Sequence, residues 1–281
     1  MPSKLYNLCK KAALSLLYQL PPIPQNIHGR LVWIHPRARF SITTQTFFKR
    51  EHHVRIWLTE QLRPAHVFFD VGAHHGWDSM WTLPLVGKEG KVFSFEPSPA
   101  NLSILEWHRT RNNFSQWMIV PKGVSDKDTE KEFFLVDKGD SPMNSLTTGD
   151  PGTPFMSGRD IRKISIQTIT LDTFCNEVNQ KPDLVKIDVE GAELLVLRGA
   201  AKLLRESHPT IILAVHPSWL PKGHSSHQIF ELLTRYGYTL YDSKGCLVEY
   251  LQEGEYLCLN TRNGTTALQQ QLLIQKPNGY Q

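Results

Sequence analysis

Apolar and polar positions along the chain follow two regimes, with the change near residue 65. Before it, apolar residues recur at helical spacing over Leu5–Leu20 and stop at Pro21, Pro22 and Pro24, which predicts a helix closed by prolines. Arg30–Ile34 reads as a short strand ahead of Pro36, and Val54, Trp57, Leu58 and Leu62 mark a helix over Glu51–Leu62. From Ala65 onwards, short apolar runs alternate with helical segments. Strands are predicted at Val67–Phe69, Val92–Phe95, Trp117–Val120, Leu184–Ile187 and Ile211–Val215, with closing strands at Tyr238–Tyr241 and Tyr256–Leu259. Helices fall between them, through Met80 and Leu83, through Leu102 and Leu105, through Leu194, Leu197 and Leu203, and through Ile229, Leu232, Leu233 and Tyr236. Ser98 and Pro99 open the second of these, and Gly237 stands at C′ of the last. This alternation predicts an α/β fold with a mostly parallel sheet covered on both faces.

Glu132–Val136 and Ile164–Ile169 break the rhythm, alternating like a local antiparallel pair around a Gly-, Ser-, Pro- and Asp-rich insertion, Gly139–Arg159. A loop of that length is typical of a lid or binding loop. The expected organisation is therefore an N-terminal extension over 1–50, one domain over 51–260 with an insertion loop at 139–159, and a polar, glutamine-rich tail over 261–281.

Composition narrows the class. The 281 residues are 40% apolar and 21% charged, a globular profile long enough for a substantial core. The net charge of +4 is small and scattered, so nucleic acid is not an expected partner. Cys9, Cys175, Cys246 and Cys258 form no C-x-x-C pair and fit neither a zinc site nor a small disulfide scaffold, so free thiols in the cytoplasm are expected. Ala12–Leu20 resembles a signal peptide superficially, but Gln19 interrupts it, Pro21-Pro22 follows, and no small-x-small cleavage site appears. No run approaches the roughly 20 apolar residues of a membrane span, and membrane contact is not expected.

The strongest chemical signal is Asp70-Val71-Gly72-Ala73-His74-His75-Gly76. A buried strand enters a glycine turn and then a helix, where backbone can approach a ligand closely and helix N–H groups face an anion. In a G-x-G-x-x-G dinucleotide loop His74 would occupy the middle glycine's place, which disfavours a pyrophosphate there and argues against an NAD(P)-dependent oxidoreductase. Glu96 ends the second strand about 20 residues further on, where an acid takes ribose hydroxyls. Asp188 and Glu190 follow another buried strand to the same sheet edge, where charges need a ligand, a partner or water.

Three motifs in order, Asp70 to Gly76, Phe95-Glu96-Pro97 and Ile187-Asp188-Val189-Glu190-Gly191-Ala192-Glu193, resemble the FkbM family of methyltransferases. Gly123-Val124-Ser125-Asp126, Asn144-Ser145-Leu146 and Ile169-Thr170-Leu171-Asp172 support the resemblance, which spans roughly Glu51–Asn260. It implies a Rossmann-like class I methyltransferase sandwich, with a mostly parallel seven-stranded sheet whose last strand is antiparallel. It also implies S-adenosyl-L-methionine as cofactor, and O-methylation of a hydroxyl on a sugar, polyketide or related small molecule or glycan. By that resemblance the loop Asp70, Gly72, Ala73, His74 and Gly76 holds the methionine end and Glu96 the ribose. Ser125 and Asp126 lie near the adenine, and Asp188 near the methyl-transfer centre.

The chain departs from the family's pattern at His74-His75, where Asn-Ile is common, and at Ala214, where an acid commonly precedes the His-Pro pair, here His216-Pro217. The second departure falls on catalysis rather than on the cofactor site. An alcohol is a poor nucleophile, so a base is expected beside it, with His216, Glu190 and Asp188 as candidates. A metal site of His74, His75 and Asp188 is disfavoured because adjacent histidines rarely point at one centre, and no metal is assigned. A non-catalytic nucleoside-binding protein is the remaining alternative.

Overall fold

The computed structural model describes residues 20–39, 42, 51–137, 141–147 and 160–260. The helix expected over Leu5–Leu20, most of the 139–159 insertion, Cys9 and the 261–281 tail lie outside the described residues. Strands β1 (Ile23–Ile27) and β2 (Arg30–Ile34) form an antiparallel hairpin. After it come α1 (His52–Gln61), β3 (Val67–Val71), α2 (Trp77–Val86), β4 (Lys91–Phe95), α3 (Pro99–Arg111) and β5 (Trp117–Val120). A small sheet follows, β6 (Gly123–Val124), β7 (Glu130–Val136) and β8 (Ile161–Ile169), in the order β6-β8-β7 with β7 and β8 antiparallel. The chain continues with α4 (Leu171–Val178), β9 (Leu184–Ile187), α5 (Glu193–Arg198), α6 (Ala201–Glu206), β10 (Thr210–Val215), α7 (Ser226–Arg235), β11 (Tyr238–Tyr241) and β12 (Gly254–Asn260).

Seven strands form the main sheet in the order β11-β12-β10-β9-β3-β4-β5. β3 pairs in parallel with β4 and β9, and β9 with β10, while β12 runs antiparallel to both of its neighbours. The last strand is thus reversed, as the family resemblance implies. Period-two alternation assigns each strand residue a face. Phe69, Val71, Val185, Ile187, Ile211 and Leu213 join one core cluster, with residues of α4 to α7. Phe68, Leu184 and Ile212 join the other, with residues of α1, α2 and α3 and of the hairpin.

Two elements differ from the sequence pattern. β1 contains Pro24, which argues against a central strand but is compatible with an edge hairpin where Pro24 faces Trp33. The hairpin is fastened to the end of α3: Trp33 N–H donates to Asn112 Oδ1 at 2.6 Å, and Asn112 Nδ2 donates to the Trp33 carbonyl at 3.0 Å. The helix expected through Leu194, Leu197 and Leu203 is instead two short helices, α5 and α6. Gly199 lies at the break because the chain there runs against Ser125, whose carbonyl oxygen would stand 2.0 Å from an added Cβ. Asp172 then caps α6, accepting from the N–H groups of Lys202 and Leu203 at 2.8 Å each.

Candidate active site

Strand order reverses between β3 and β9: β4 and β5 lie to one side, β10 to the other. At such a switch point the loops leaving neighbouring strands part and open a crevice at the carboxyl edge of the sheet. The two loops here are Gly72–Gly76 and Asp188–Ala192. They begin in close contact, because Gly72 (φ 86°) has room only for hydrogen: a Cβ would stand 1.9 Å from the Asp188 carbonyl oxygen.

Beyond them lie two adjoining cavities. The first, open to solvent, has Glu96 on its wall together with Phe95, Val124, Phe133 and Leu146. The second is polar and holds Asp188, Glu190, His216, Lys186, Glu51 and Glu255. Gly72, His74, Pro142 and Asp188 line both.

Glu96 is buried at the end of β4, with Oε1 accepting from Ser98 N–H at 2.8 Å and Oε2 from His74 N–H at 2.9 Å. His74 reaches it through a left-handed backbone (φ 50°). Burial pushes the Glu96 carboxyl up to about 7 in spite of these hydrogen bonds. The Asn101 side chain adds a third hydrogen bond to the carboxylate, which lies on the cavity wall.

The second cavity is built around β9. Lys186, inside an apolar strand, shares a face with Leu184, so its amine meets the buried Asp78 of α2 at 3.2 Å and Asp188 at 3.1 Å. Burial works against the ammonium, but Asp188, Asp78 and Asp70 outweigh it and raise the Lys186 pKa well above its usual value. Burial likewise opposes ionisation of Asp188, yet Lys186 and His216 hold it below the ordinary carboxylate range. Glu190 is pushed up to about 7 by burial and by the charge of Asp188. His216 follows β10: its Nδ1 lies 2.8 Å from Oε1 of the fully buried Glu193, and its Nε2 is 3.8 Å from Asp188 and 3.8 Å from Glu190. Burial would lower its pKa, but Glu193, Asp188 and Glu190 together push it up to about 10.

Several expected site residues are arranged differently. Asp70 touches neither cavity: strand alternation turns it under α2, where it is 1% exposed and accepts from Ser79 Oγ. Gly76 caps α2 and packs under Leu105 and Trp117 rather than on the crevice. Ser125 is fully buried and, with Asp126, takes the Lys131 amine at 2.6 and 2.8 Å, while Lys122, Gly123 and Val124 of the preceding residues line the cavity. Glu193, Asp188 and Glu190 hold His216 toward its protonated form, which disfavours it as a base while those carboxylates stay ionised. His74 and His75 stack on each other, with centroids 3.7 Å apart, rather than converging on a point. Gly72, Ala73, His74, Glu96, Asp188, Glu190 and His216 do line the crevice.

Residues outside the sequence reading complete the site. Lys186 could have been noticed as a charge inside Leu184–Ile187, and Glu193 as the third acid in seven residues. Glu51 and Glu255 come from distant segments and carry no local signal. Ser145 donates to the Glu190 carbonyl at 2.6 Å, tying the described part of the insertion to the site.

A seven-stranded sheet of this order with a reversed strand, and a strand-end carboxylate facing a glycine loop at the switch point, define a Rossmann-like methyltransferase fold. A family model described as the methyltransferase FkbM domain matches residues 70–240, more than half of the sequence, and the chain belongs to this methyltransferase family. Solved structures with a similar fold include a methyltransferase FkbM from Methylobacillus flagellatus KT, 15% identical, with 90% of this chain and 59% of that one covered at a TM-score of 0.44. This chain therefore covers under two thirds of that protein's length. Others are precorrin-6y C5,15-methyltransferase from Geobacter metallireducens GS-15 (15% identity, 73% and 86% covered, TM-score 0.40) and fibrillarin from Aeropyrum pernix (11%, 71% and 68%, 0.42). No curated protein sequence matches the chain. No helix among the described residues is long and apolar enough to cross a membrane.

Proposed function

We propose that this chain methylates a hydroxyl oxygen on a small-molecule or glycan acceptor, with S-adenosyl-L-methionine as its cofactor. The observation that carries this reading is the pair of adjoining cavities, one apolar with a carboxylate on its wall, the other lined by acids, meeting at Gly72, His74 and Asp188.

The first cavity fits the nucleoside. Glu96 on its wall would accept from the ribose hydroxyls, and Phe95, Val124, Phe133 and Leu146 offer an apolar slot for a flat base. S-adenosyl-L-methionine, when bound, supplies an activated methyl group, so the protein's task is chiefly alignment. Gly72 and His74 would hold the amino-acid portion, with Asp188 beside it. The acceptor would enter the second cavity, where Glu190, with a carboxyl near 7, is the group able to take the hydroxyl proton, and His216 orients it. The free thiols Cys175, Cys246 and Cys258 support a cytoplasmic location.

Calorimetric titration with S-adenosylhomocysteine and NAD tests the cofactor site. Charge-assisted hydrogen bonds of about 1.5–3 kcal/mol imply that Glu96→Ala weakens S-adenosylhomocysteine binding by about tenfold or more. NAD binding without a response to S-adenosylhomocysteine would overturn the reading. For the acceptor, incubation with isotopically labelled methyl donor and panels of polyhydroxylated small molecules, glycans and RNA should place the label on a small-molecule or glycan oxygen. Label on RNA or on nitrogen alone would refute O-methylation.

A further inference from the structure

We infer that Asp188, Glu190 and His216 form a binding site for a divalent cation. Among the described residues this is a triad whose ligand atoms, one per residue, lie within 4.8 Å of one another. Its geometry is that of a site with its centre open. His216 Nε2 stands 3.8 Å from Asp188 Oδ1 and 3.8 Å from Glu190 Oε2, too far for hydrogen bonds and close to the separation two ligands of one ion adopt. Metal–ligand bonds of about 2.0–2.2 Å at tetrahedral angles put ligand atoms about 3.3–3.6 Å apart, so the two 3.8 Å pairs lie within about half an ångström of that spacing and the third pair, within 4.8 Å, closes by more.

The surroundings point the same way. A metal-binding imidazole usually engages its other nitrogen with a carboxylate, which fixes the ring and its tautomer. His216 has that partner: Nδ1 is 2.8 Å from Glu193 Oε1, which also accepts from Gly191 N–H at 2.9 Å. The Glu193 residue is fully buried and its Oε2 has no hydrogen-bond partner among the described residues, so it is a dedicated support and not a solvated acid. Glu190 is held through its backbone, its carbonyl accepting from Ser145 Oγ at 2.6 Å and Thr147 Oγ1 at 3.2 Å. That leaves its side chain free to face the cavity.

Charge balance supplies an independent argument. Lys186 is shared among Asp188, Glu190, Asp78, Asp70 and Glu51, and Arg55 between Asp78 and Glu51, so a single ammonium serves the Asp188–Glu190 pair together with three other carboxylates. Glu255 adds another carboxylate to the same wall. The methyl donor itself, a sulfonium and an ammonium against one carboxylate, brings a single net positive charge. The His216 proton answers part of the remaining excess, and a divalent ion bound at Nε2 would displace that proton and answer the excess in its place. Two oxygens and one imidazole nitrogen suit a first-row ion such as Mn²⁺ or Zn²⁺ better than Ca²⁺, which prefers oxygen ligands throughout. The inference concerns binding, and it stands whether or not the acceptor atom is oxygen.

The test is Mn²⁺ binding to chelator-treated full-length protein, read from the loss of the free-ion electron paramagnetic resonance signal. One saturable site per chain is expected, weakened at least about tenfold in Glu190→Gln and in His216→Ala, and about tenfold in Glu193→Gln, which removes only the ring's support. S-adenosylhomocysteine affinity, read in parallel, reports that each variant is folded. Absence of saturable binding up to millimolar Mn²⁺, or equal binding in the wild type and all folded variants, would overturn the proposal and leave the triad as an acid–imidazole relay.

Discussion

His74 holds a left-handed backbone that costs a residue with a side chain about 1–2 kcal/mol, and the same conformation aims its N–H at Glu96. That hydrogen bond does not prevent burial from raising the Glu96 carboxyl to about 7. In the proposed cofactor site the ribose hydroxyls would donate to the ionised form, so S-adenosylhomocysteine affinity should rise with pH. A group of pKa about 7 is roughly one-tenth ionised at pH 6 and nine-tenths at pH 8, so the expected gain between them is about tenfold. Calorimetry at the two pH values should show it in the wild type and not in Glu96→Gln; equal dependence in both would place the titrating group elsewhere. The linkage to stability has the opposite sign. The folded state holds this proton longer than the unfolded chain, so Glu96 costs stability as pH rises from about 4.5 to 7. Glu96, Asp188, Glu190 and His216 were legible because each follows a predicted strand. Asp70 was misplaced because strand position alone does not tell whether a helix covers that face, and Glu193 acts on His216 only after the chain has folded.

At the scale of elements, the approach of β3 to β9 rests on Gly72. Gly29 provides a comparison: its φ is 81°, similar to the 86° of Gly72, but an added Cβ there meets nothing within 4 Å. Gly29→Ala should therefore cost only the conformational preference, about 1–2 kcal/mol, while Gly72→Ala adds a collision with the Asp188 backbone. Thermal unfolding should show a drop of about 2–8 °C for the first and a distinctly larger one for the second. Equal drops would mean that the loops can part without penalty. The parallel strands were readable as continuous apolar runs, since both their faces are buried. β1 was not, because Pro24 speaks against a strand unless the partner at its edge is known. The split between α5 and α6 depends on Ser125 and Asp172, which are distant in sequence, so a helical period carried straight through the break.

At the scale of the whole molecule, the site is assembled from segments far apart in the sequence. Glu51, just ahead of α1, and Glu255 of β12 face the same cavity as Asp188, and His53 of α1 lies 3.2 Å from Glu255. His53→Ala loosens this tie far from the nucleoside slot, so it should raise the acceptor KM while S-adenosylhomocysteine affinity stays within about twofold; a matching loss of cofactor affinity would contradict that separation. Gly72, His74, Pro142 and Asp188 are a common wall between the cavity proposed for the donor and the one proposed for the acceptor. A molecule seated on one side finishes the surface that the other side presents. In rate measurements this becomes an order of addition: the donor enters first, the methylated product leaves before S-adenosylhomocysteine, and S-adenosylhomocysteine inhibits competitively against the donor but not against the acceptor. Double-reciprocal plots should intersect, and parallel lines would show that the chambers work in turn and not together.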